Sequence, residues 1–157
     1  MWKVTVRIGI SGASGIAIGP SGYVYVSYFN DETVKRVPPS GGIMSTVVTG
    51  LDNPGGLAFN SEGDLFIANL NNNTITEITA SGEKSTFASG LSIPVGLAFD
   101  STGNLYVANR AGNSISRITP NGSVTTFFSG IFSPHSLAFD REGNLFASKP
   151  RATQAAM

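Results

Sequence analysis

Residues 96–130 read "GLAFDSTGNLYVANRAGNSISRITPNGSVTTFFSG", and residues 56–90 read "GLAFNSEGDLFIANLNNNTITEITASGEKSTFASG". A looser copy begins at Gly15 with "GIAIGPSGYVYVSYFNDETVKRV", and a shorter one begins at Ser136 with "SLAFDREGNLFASKP". The four starting positions are separated by 41, 40 and 40 residues. Because a tandem repeat of this length determines the architecture of a chain, we interpret it before any single residue.

Each repeat contains four short strand patterns separated by turns. In the copy at Gly96, the apolar run "GLAF" is typical of a buried strand, and "LYVAN" follows it after the turn "DSTGN". "SISRIT" alternates apolar and polar residues, and "VTTFFSG" is rich in β-branched and aromatic residues. Asn121-Gly122 between them is a strong hairpin signal. Four antiparallel strands in about 40 residues predict the blade of a β-propeller, and therefore an all-β fold.

The whole chain is predicted to be one propeller segment of about four four-stranded blades. The repeat predicts blades at residues 15–55, 56–95 and 96–135, and a partial blade at residues 136–157. Residues 2–14 are predicted to hold a piece of a last strand, because "WKVTVR" aligns with the fourth-strand pattern "SVTTFF". The two chain ends would then supply the parts of one further blade.

Four blades of this type are few for a closed ring, and an open arc leaves blade faces and strand edges bare. Two arrangements remain open. Two chains form an eight-bladed ring, in which residues 2–7 of one chain complete the last blade of the other, or the chain is part of a longer parent propeller. The tail "KPRATQAAM" breaks the repeat, which favours truncation of a longer propeller. A compact four-bladed monomer is a third arrangement.

The composition excludes several classes of protein. Only 13% of residues are charged, and 10 Lys and Arg balance 10 Asp and Glu with mixed signs along the chain, so we predict no nucleic-acid partner. No apolar stretch is long enough to predict a membrane span or a signal peptide, which leaves the compartment unknown. The sequence has no cysteine, which excludes disulfides and thiolate metal sites.

The segments "NPGGLAFNSEGDLFIAN" and "IPVGLAFDSTGNLYVAN" resemble the NHL-type repeats of bacterial β-propellers. They are also similar to related six- and seven-bladed groups, which include streptogramin lyases and gluconolactonase-like calcium enzymes. The resemblance covers residues 15–149, and the shared residues are turn and core positions. Where NHL repeats often have aspartate after the second strand, this chain has Asn69 and Asn109, with Tyr28 and Lys149 at the matching places.

The candidate site lies on the propeller face formed by the inter-blade loops and by the loops between second and third strands. The residues predicted nearest the axis are Ser14, Gly55, Val95 and His135. The residues predicted to contact a ligand are Tyr28, Phe29, Asn69, Asn109, Arg110 and His135. The repeated aromatic residues are predicted to pack between blades as core: Phe59, Phe99, Phe139, Phe66, Tyr106 and Phe146.

The chemistry available at that face is limited. Resemblance to the calcium enzymes implies ligands around the axis, but Gly55 and Val95 offer no side-chain ligand, so we predict no metal and no cofactor. His135 is the only histidine and the one candidate acid/base, as streptogramin lyases use histidine on this face. Without a second histidine, a polar role at the mouth of the pore is favoured. Two interpretations of the loop rim stay open: Tyr28 and Phe29 stack on a ligand while Arg110 with Arg151 holds an anion, or these residues form a solvated rim, which is the favoured interpretation.

The sequence therefore favours a non-enzymatic binding or scaffold propeller that recognises a protein, peptide or glycan through its loop face. The alternative is a half-ring or remnant of a lyase- or lactonase-type propeller enzyme, with His135 as its acid/base. A third hypothesis is a repeat fragment with no function of its own.

Overall fold

A computed structural model describes residues 12–149, and the predicted all-β fold is confirmed there. Three four-stranded antiparallel sheets are followed by a two-stranded one, each built from strands consecutive in sequence. The strands are β1 Ala13–Ile18, β2 Val24–Tyr28, β3 Thr33–Val37, β4 Ser45–Val48, β5 Pro54–Phe59, β6 Leu65–Asn69, β7 Thr74–Ile78, β8 Lys84–Ala88, β9 Pro94–Phe99, β10 Leu105–Asn109, β11 Ser114–Ile118, β12 Val124–Ser129, β13 Leu137–Phe139 and β14 Leu145–Ala147.

Each sheet is one blade, so blade 1 is β1–β4, blade 2 is β5–β8, blade 3 is β9–β12 and blade 4 is β13–β14. Blades 1 to 3 begin two residues before the glycine that opens each repeat, at Ala13, Pro54 and Pro94. Residues 13–14 therefore belong to the first strand of blade 1 and not to a last-strand piece. The strands predicted in residues 2–7 and in the tail lie outside the described residues. No helix in residues 12–149 is long and apolar enough to cross a membrane.

In blades 2 to 4, an acidic or amide side chain caps the turn between the first and second strands: Asn60, Asp100 or Asp140. In blade 3, the Asp100 carboxylate accepts hydrogen bonds from the backbone N–H groups of Thr102 and Asn104, both at 2.9 Å. Gly103 supplies the positive φ of 85° that this turn requires. Burial raises the pKa of Asp100, but the hydrogen bonds from Asn104 and Thr102 outweigh it and lower the pKa overall. These hydrogen bonds make the segment a turn and occupy its carboxylate.

Neighbouring blades approach so closely at the inner strand that only glycine fits. A Cβ on the glycine that opens each of the first three repeats would lie 2.1–2.2 Å from a carbonyl oxygen of the next blade. The three contacts are Gly15 with Gly55, Gly56 with Val95, and Gly96 with His135. At the fourth equivalent position the chain has Ser136. The repeated glycine is therefore a packing requirement of the blade–blade interface.

Aromatic pairs join the blades further from the axis. The edge-to-face pairs are Tyr25 with Phe59 at 4.9 Å between ring centroids, Phe66 with Phe99 at 4.9 Å, and Tyr106 with Phe139 at 5.1 Å. Such contacts add to the burial of apolar area. The predicted packing of the aromatic residues between blades is confirmed for these pairs. It is wrong for Phe146, whose side chain is 60% exposed because no described blade follows β14.

Candidate functional site

A groove of about 510 Å³ follows the inner strands of all four blades. We call it the axial groove. All four residues predicted nearest the axis belong to its lining. The lining residues are Ser14, Gly15, Ile16, Gly55, Gly56, Leu57, Leu70, Val95, Gly96, Leu97, Arg110, His135, Ser136 and Leu137.

The inner strand of each of blades 1 to 3 has a bulge beside this groove. In blade 1, the pairing with β2 passes from Ala13 directly to Ile16, so the two residues between them leave the ladder. The same irregularity follows Pro54 and Pro94 in blades 2 and 3. The residues that leave the ladder all belong to the groove lining. In blade 1 the freed Gly15 N–H is bonded by the Ser27 hydroxyl, which also donates to the Gly55 carbonyl of blade 2.

Arg110 and His135 are the two titratable side chains in the lining of the axial groove. Arg110 is half-buried, and its backbone N–H donates to the Ile93 carbonyl at 3.0 Å. His135 is exposed, and its Nδ1 lies 3.0 Å from the Ser133 carbonyl oxygen. Because a carbonyl only accepts, this contact places the proton on Nδ1 and leaves Nε2 of the neutral ring as an acceptor. The groove therefore presents one permanent cation and one imidazole.

Two of the predicted ligand contacts, Asn69 and Asn109, are buried in the blades. The Asn69 side chain is 2% exposed, and its Nδ2 donates to the hydroxyls of Thr76 at 2.8 Å and Thr74 at 3.1 Å. Its Oδ1 accepts from the Asp52 backbone N–H at 3.4 Å. Asn109 is 3% exposed and makes the corresponding bonds in blade 3 to Ser116, Ser114 and Ser92. Because these side chains are enclosed and paired, they hold the inter-blade loops and leave no surface for a ligand.

Tyr28 and Phe29, which are also predicted to contact a ligand, do not line the axial groove. Tyr28 is 5% exposed, its hydroxyl donates to the Met44 sulfur at 3.1 Å, and Lys35 Nζ lies 4.5 Å from its ring centroid. Burial raises the pKa of the Tyr28 hydroxyl, and the Lys35 charge partly offsets that rise. Phe29 is half-buried and is not part of the groove lining, while its carbonyl accepts a hydrogen bond from Asn53 Nδ2 at 3.3 Å. Tyr28 is therefore a core residue, because its ring is enclosed.

Leu70 and Ile16 line the groove but are not among the residues predicted to contact a ligand. Leu70 follows Asn69 in blade 2, as Arg110 follows Asn109 in blade 3. The Cδ1 atom of Leu70 fills the space that a Cβ on Gly55 would occupy. Ile16 lines the groove with its side chain 67% exposed. In the alignment of the blades, Leu70 occupies the Arg110 position, which places it on the predicted loop face, and Ile16 occupies the position of Leu57 in the first strand.

The predicted absence of a metal and cofactor remains a prediction. In the part of the chain that the structure describes, no three His, Asp or Glu side chains are grouped as metal ligands would be. The anion pair predicted for Arg110 and Arg151 cannot be placed, since Arg151 lies outside the described residues.

The fold and groove define a segment of a β-propeller with its axial surface. The chain matches no known protein-family profile and no curated protein sequence. Among solved structures it is similar to an inactive His-to-Ala variant of virginiamycin B lyase from Staphylococcus aureus with quinupristin. The two are 25% identical with a TM-score of 0.77, over 92% of this chain and 51% of the lyase.

Two further solved structures have the same fold. A gluconolactonase from Xanthomonas campestris is 20% identical with a TM-score of 0.76, over 87% of this chain and 53% of the enzyme. A chain of the nidogen–laminin complex is 24% identical with a TM-score of 0.72, over 82% of this chain and 52% of that one. This chain thus spans about half the length of these propellers. The resemblance to NHL-like, lyase and gluconolactonase propellers is confirmed, and the group includes both enzymes and binding propellers.

Proposed function

We propose that the chain is a binding propeller segment that recognises a carboxylate-bearing peptide, protein or glycan in its axial groove. The observation that carries the proposal is the position of Arg110 and His135 in a lining otherwise made of backbone, small and aliphatic groups. A guanidinium offers a planar fork of donors that matches a carboxylate, and such charge-assisted bonds are the strong ones.

The contacts of His135 support binding over catalysis. Its Nδ1 is held by the carbonyl of Ser133, two residues away in the same loop. A carbonyl fixes the ring orientation, but it does not stabilise the imidazolium as a carboxylate partner does in hydrolases. The His135 ring is thus placed as a polar contact for a ligand in the same groove as Arg110.

Arg110→Gln is expected to weaken binding of acidic probes by about tenfold, as the loss of a charge-assisted hydrogen bond implies. The probes are capped hexaglutamate and tetragalacturonate, with capped hexaglutamine and maltotetraose as neutral counterparts. Calorimetric titration gives the dissociation constants. Arg141→Gln is the matched control, because Arg141 is an exposed arginine in a turn of blade 4, outside the groove lining.

The proposal requires that the acidic probes bind more tightly than the neutral ones, and that Arg141→Gln stays within about twofold of the unaltered chain. Equal weakening by both arginine variants would mean that net charge and not the groove is responsible. Binding of neither acidic probe would also contradict it.

The second proposal is a lyase- or lactonase-type activity with His135 as acid/base. It is supported by the exposed imidazole in the axial groove and by the similarity to a lyase described as inactive in a His-to-Ala form. With quinupristin as the probe, this proposal expects cleavage of the probe, which His135→Gln reduces by about 100-fold or more, while Arg141→Gln has no effect. Chromatography of the probe measures the turnover. An unaltered chain that leaves quinupristin intact would contradict it.

A further inference from the structure

The three internal blade–blade interfaces are built in the same way. At each one, an aromatic residue of a second strand contacts an aromatic residue at the end of the next blade's first strand. The leucine that follows the opening glycine or serine is buried by the preceding blade, with exposures of 7% at Leu57, 8% at Leu97 and 9% at Leu137. The interface therefore has two halves, one on each side of a blade.

The two ends of the stack expose these halves separately. On blade 4, Phe146 is 60% exposed, whereas the equivalent Phe66 and Tyr106 are 2% and 7% exposed. On blade 1, Ile16 is 67% and Ile18 is 72% exposed, at the positions of the buried leucines and of the paired phenylalanines. We call the surface of Ile16 and Ile18 the head face, and the surface of Phe146 and Ser148 the tail face.

We propose that the tail face binds the head face of a second copy of this chain, and that the reciprocal contact closes a ring of two chains. The tail face carries the second-strand aromatic residue of the internal interfaces. The head face carries Ile16 and Ile18 at the positions of the leucine and the phenylalanine that meet that residue inside the chain. Their union therefore continues the internal interface, with an isoleucine in place of the phenylalanine. Each copy has one head and one tail, so two copies cover all four faces if the rotation closes.

A serine on the tail face supports this pairing. Between blades 1 and 2, the Ser27 hydroxyl accepts from the Gly15 backbone N–H at 2.7 Å and donates to the Gly55 carbonyl of the next blade at 2.6 Å. The equivalent residues of blades 2 and 3 are alanines, but blade 4 again has serine. Ser148 Oγ accepts from the Ser136 N–H at 3.0 Å, as Ser27 does from Gly15. Within residues 12–149 its proton has no acceptor, and Ser14 of a second copy would present the matching carbonyl.

Ser136 sets a limit on how closely the second copy approaches. At each internal interface, the carbonyl oxygen of the next blade lies only 2.1–2.2 Å from the point where a Cβ of the opening glycine would be. Ser136 has a Cβ, so the carbonyl of the docked blade must stay beyond about 3.0 Å, the shortest distance that real Cβ contacts show. The contact between chains is therefore looser at the axis than the internal ones.

Light scattering behind size exclusion tests the proposal on the unaltered chain and on exposed-face variants. We expect a mass of about 33 kDa, twice the 16.3 kDa of the chain. Ile18→Asp and Phe146→Asp should each give a monomer. Ile43→Asp should remain a dimer, because Ile43 is 92% exposed and belongs to neither face. Circular dichroism confirms that each variant is folded.

Mixing the two monomeric variants distinguishes head-to-tail binding from other dimers. The tail face of Ile18→Asp and the head face of Phe146→Asp are both intact, so the mixture should regain a dimer through one repaired contact. Ser136→Gly should tighten the dimer by roughly tenfold, as relief of an overpacked contact implies. A monomeric or polydisperse unaltered chain would overturn the proposal, and so would a mixture that stays monomeric. These readouts need no ligand, so they are independent of the function proposed above.

Discussion

Phe66→Ala is expected to lower the free energy of unfolding by about 3–5 kcal/mol, the range for deleting a buried phenylalanine. Phe66 is 2% exposed and makes edge-to-face contacts with Phe87 of its own blade at 4.8 Å and Phe99 of the next at 4.9 Å. The substitution leaves a cavity between two blades, and neither blade can move to fill it without losing its other contacts. Urea unfolding measures the loss as a lower midpoint at an unchanged slope.

Phe146→Ala is the matched control because Phe146 occupies the same position in blade 4 but is 60% exposed. At a protein concentration low enough to keep the chain monomeric, it should change the free energy of unfolding by about 0.5 kcal/mol or less. If Phe66→Ala leaves no folded protein to measure, Phe66→Leu gives a smaller loss in the same direction. Equal losses from Phe66→Ala and Phe146→Ala would mean that blade–blade packing does not stabilise the chain.

The strands and turns of each blade could be predicted because their signals are local. The turn at Asn121-Gly122 is formed as predicted, with Gly122 at a φ of 80°. The tandem repeat strengthened the prediction of the strands, because a strand recognised in one copy implies a strand at the equivalent positions of the other copies. Alignment alone placed Ser14, Gly55, Val95 and His135 along one axis, and all four line the axial groove.

The roles of the polar residues after the second strands could not be predicted from the sequence. Asn69 stands at the end of a strand, where a side chain either faces solvent or is enclosed by the next loop. Its partners Thr76 and Asp52 come from another strand and another loop, so its burial is a tertiary property. The same reasoning applies to Asn109, whereas Arg110, one residue later, does reach the groove.

One backbone feature contradicts what local preference predicts. Ile93 has a φ of 50°, in a region that β-branched residues rarely adopt. The Asn73 side chain accepts a hydrogen bond from the Ile93 N–H at 2.7 Å, and the Ile93 carbonyl accepts one from the Arg110 N–H at 3.0 Å. These contacts with the neighbouring loops hold the conformation, and the sequence near Ile93 carries no signal for it.

Gly56→Ala is expected to destabilise the chain by about 3 kcal/mol, because overpacking against backbone has no easy relief. The new Cβ would lie 2.1 Å from the Val95 carbonyl oxygen, and the backbone on both sides belongs to an inner strand. Gly56 does not have a left-handed φ, so alanine introduces no backbone strain there. The expected loss therefore measures the approach of blade 2 to blade 3.

Two control variants separate this steric effect from other consequences of adding a methyl group. Ser136→Ala tests the equivalent position of blade 4, which already carries a Cβ, and should change stability by about 0.5 kcal/mol or less. Gly82→Ala tests backbone strain alone, because Gly82 has a φ of 92° and no atom lies within 4 Å of an added Cβ. It should lower the free energy of unfolding by about 1 kcal/mol. Chemical unfolding of the three variants should therefore rank Gly56→Ala as the most destabilising.

If Gly56→Ala were as stable as Ser136→Ala, the blades would be able to separate at the axis without loss of stability. The close approach of inner strands would then not be what fixes the spacing of the blades and the width of the axial groove.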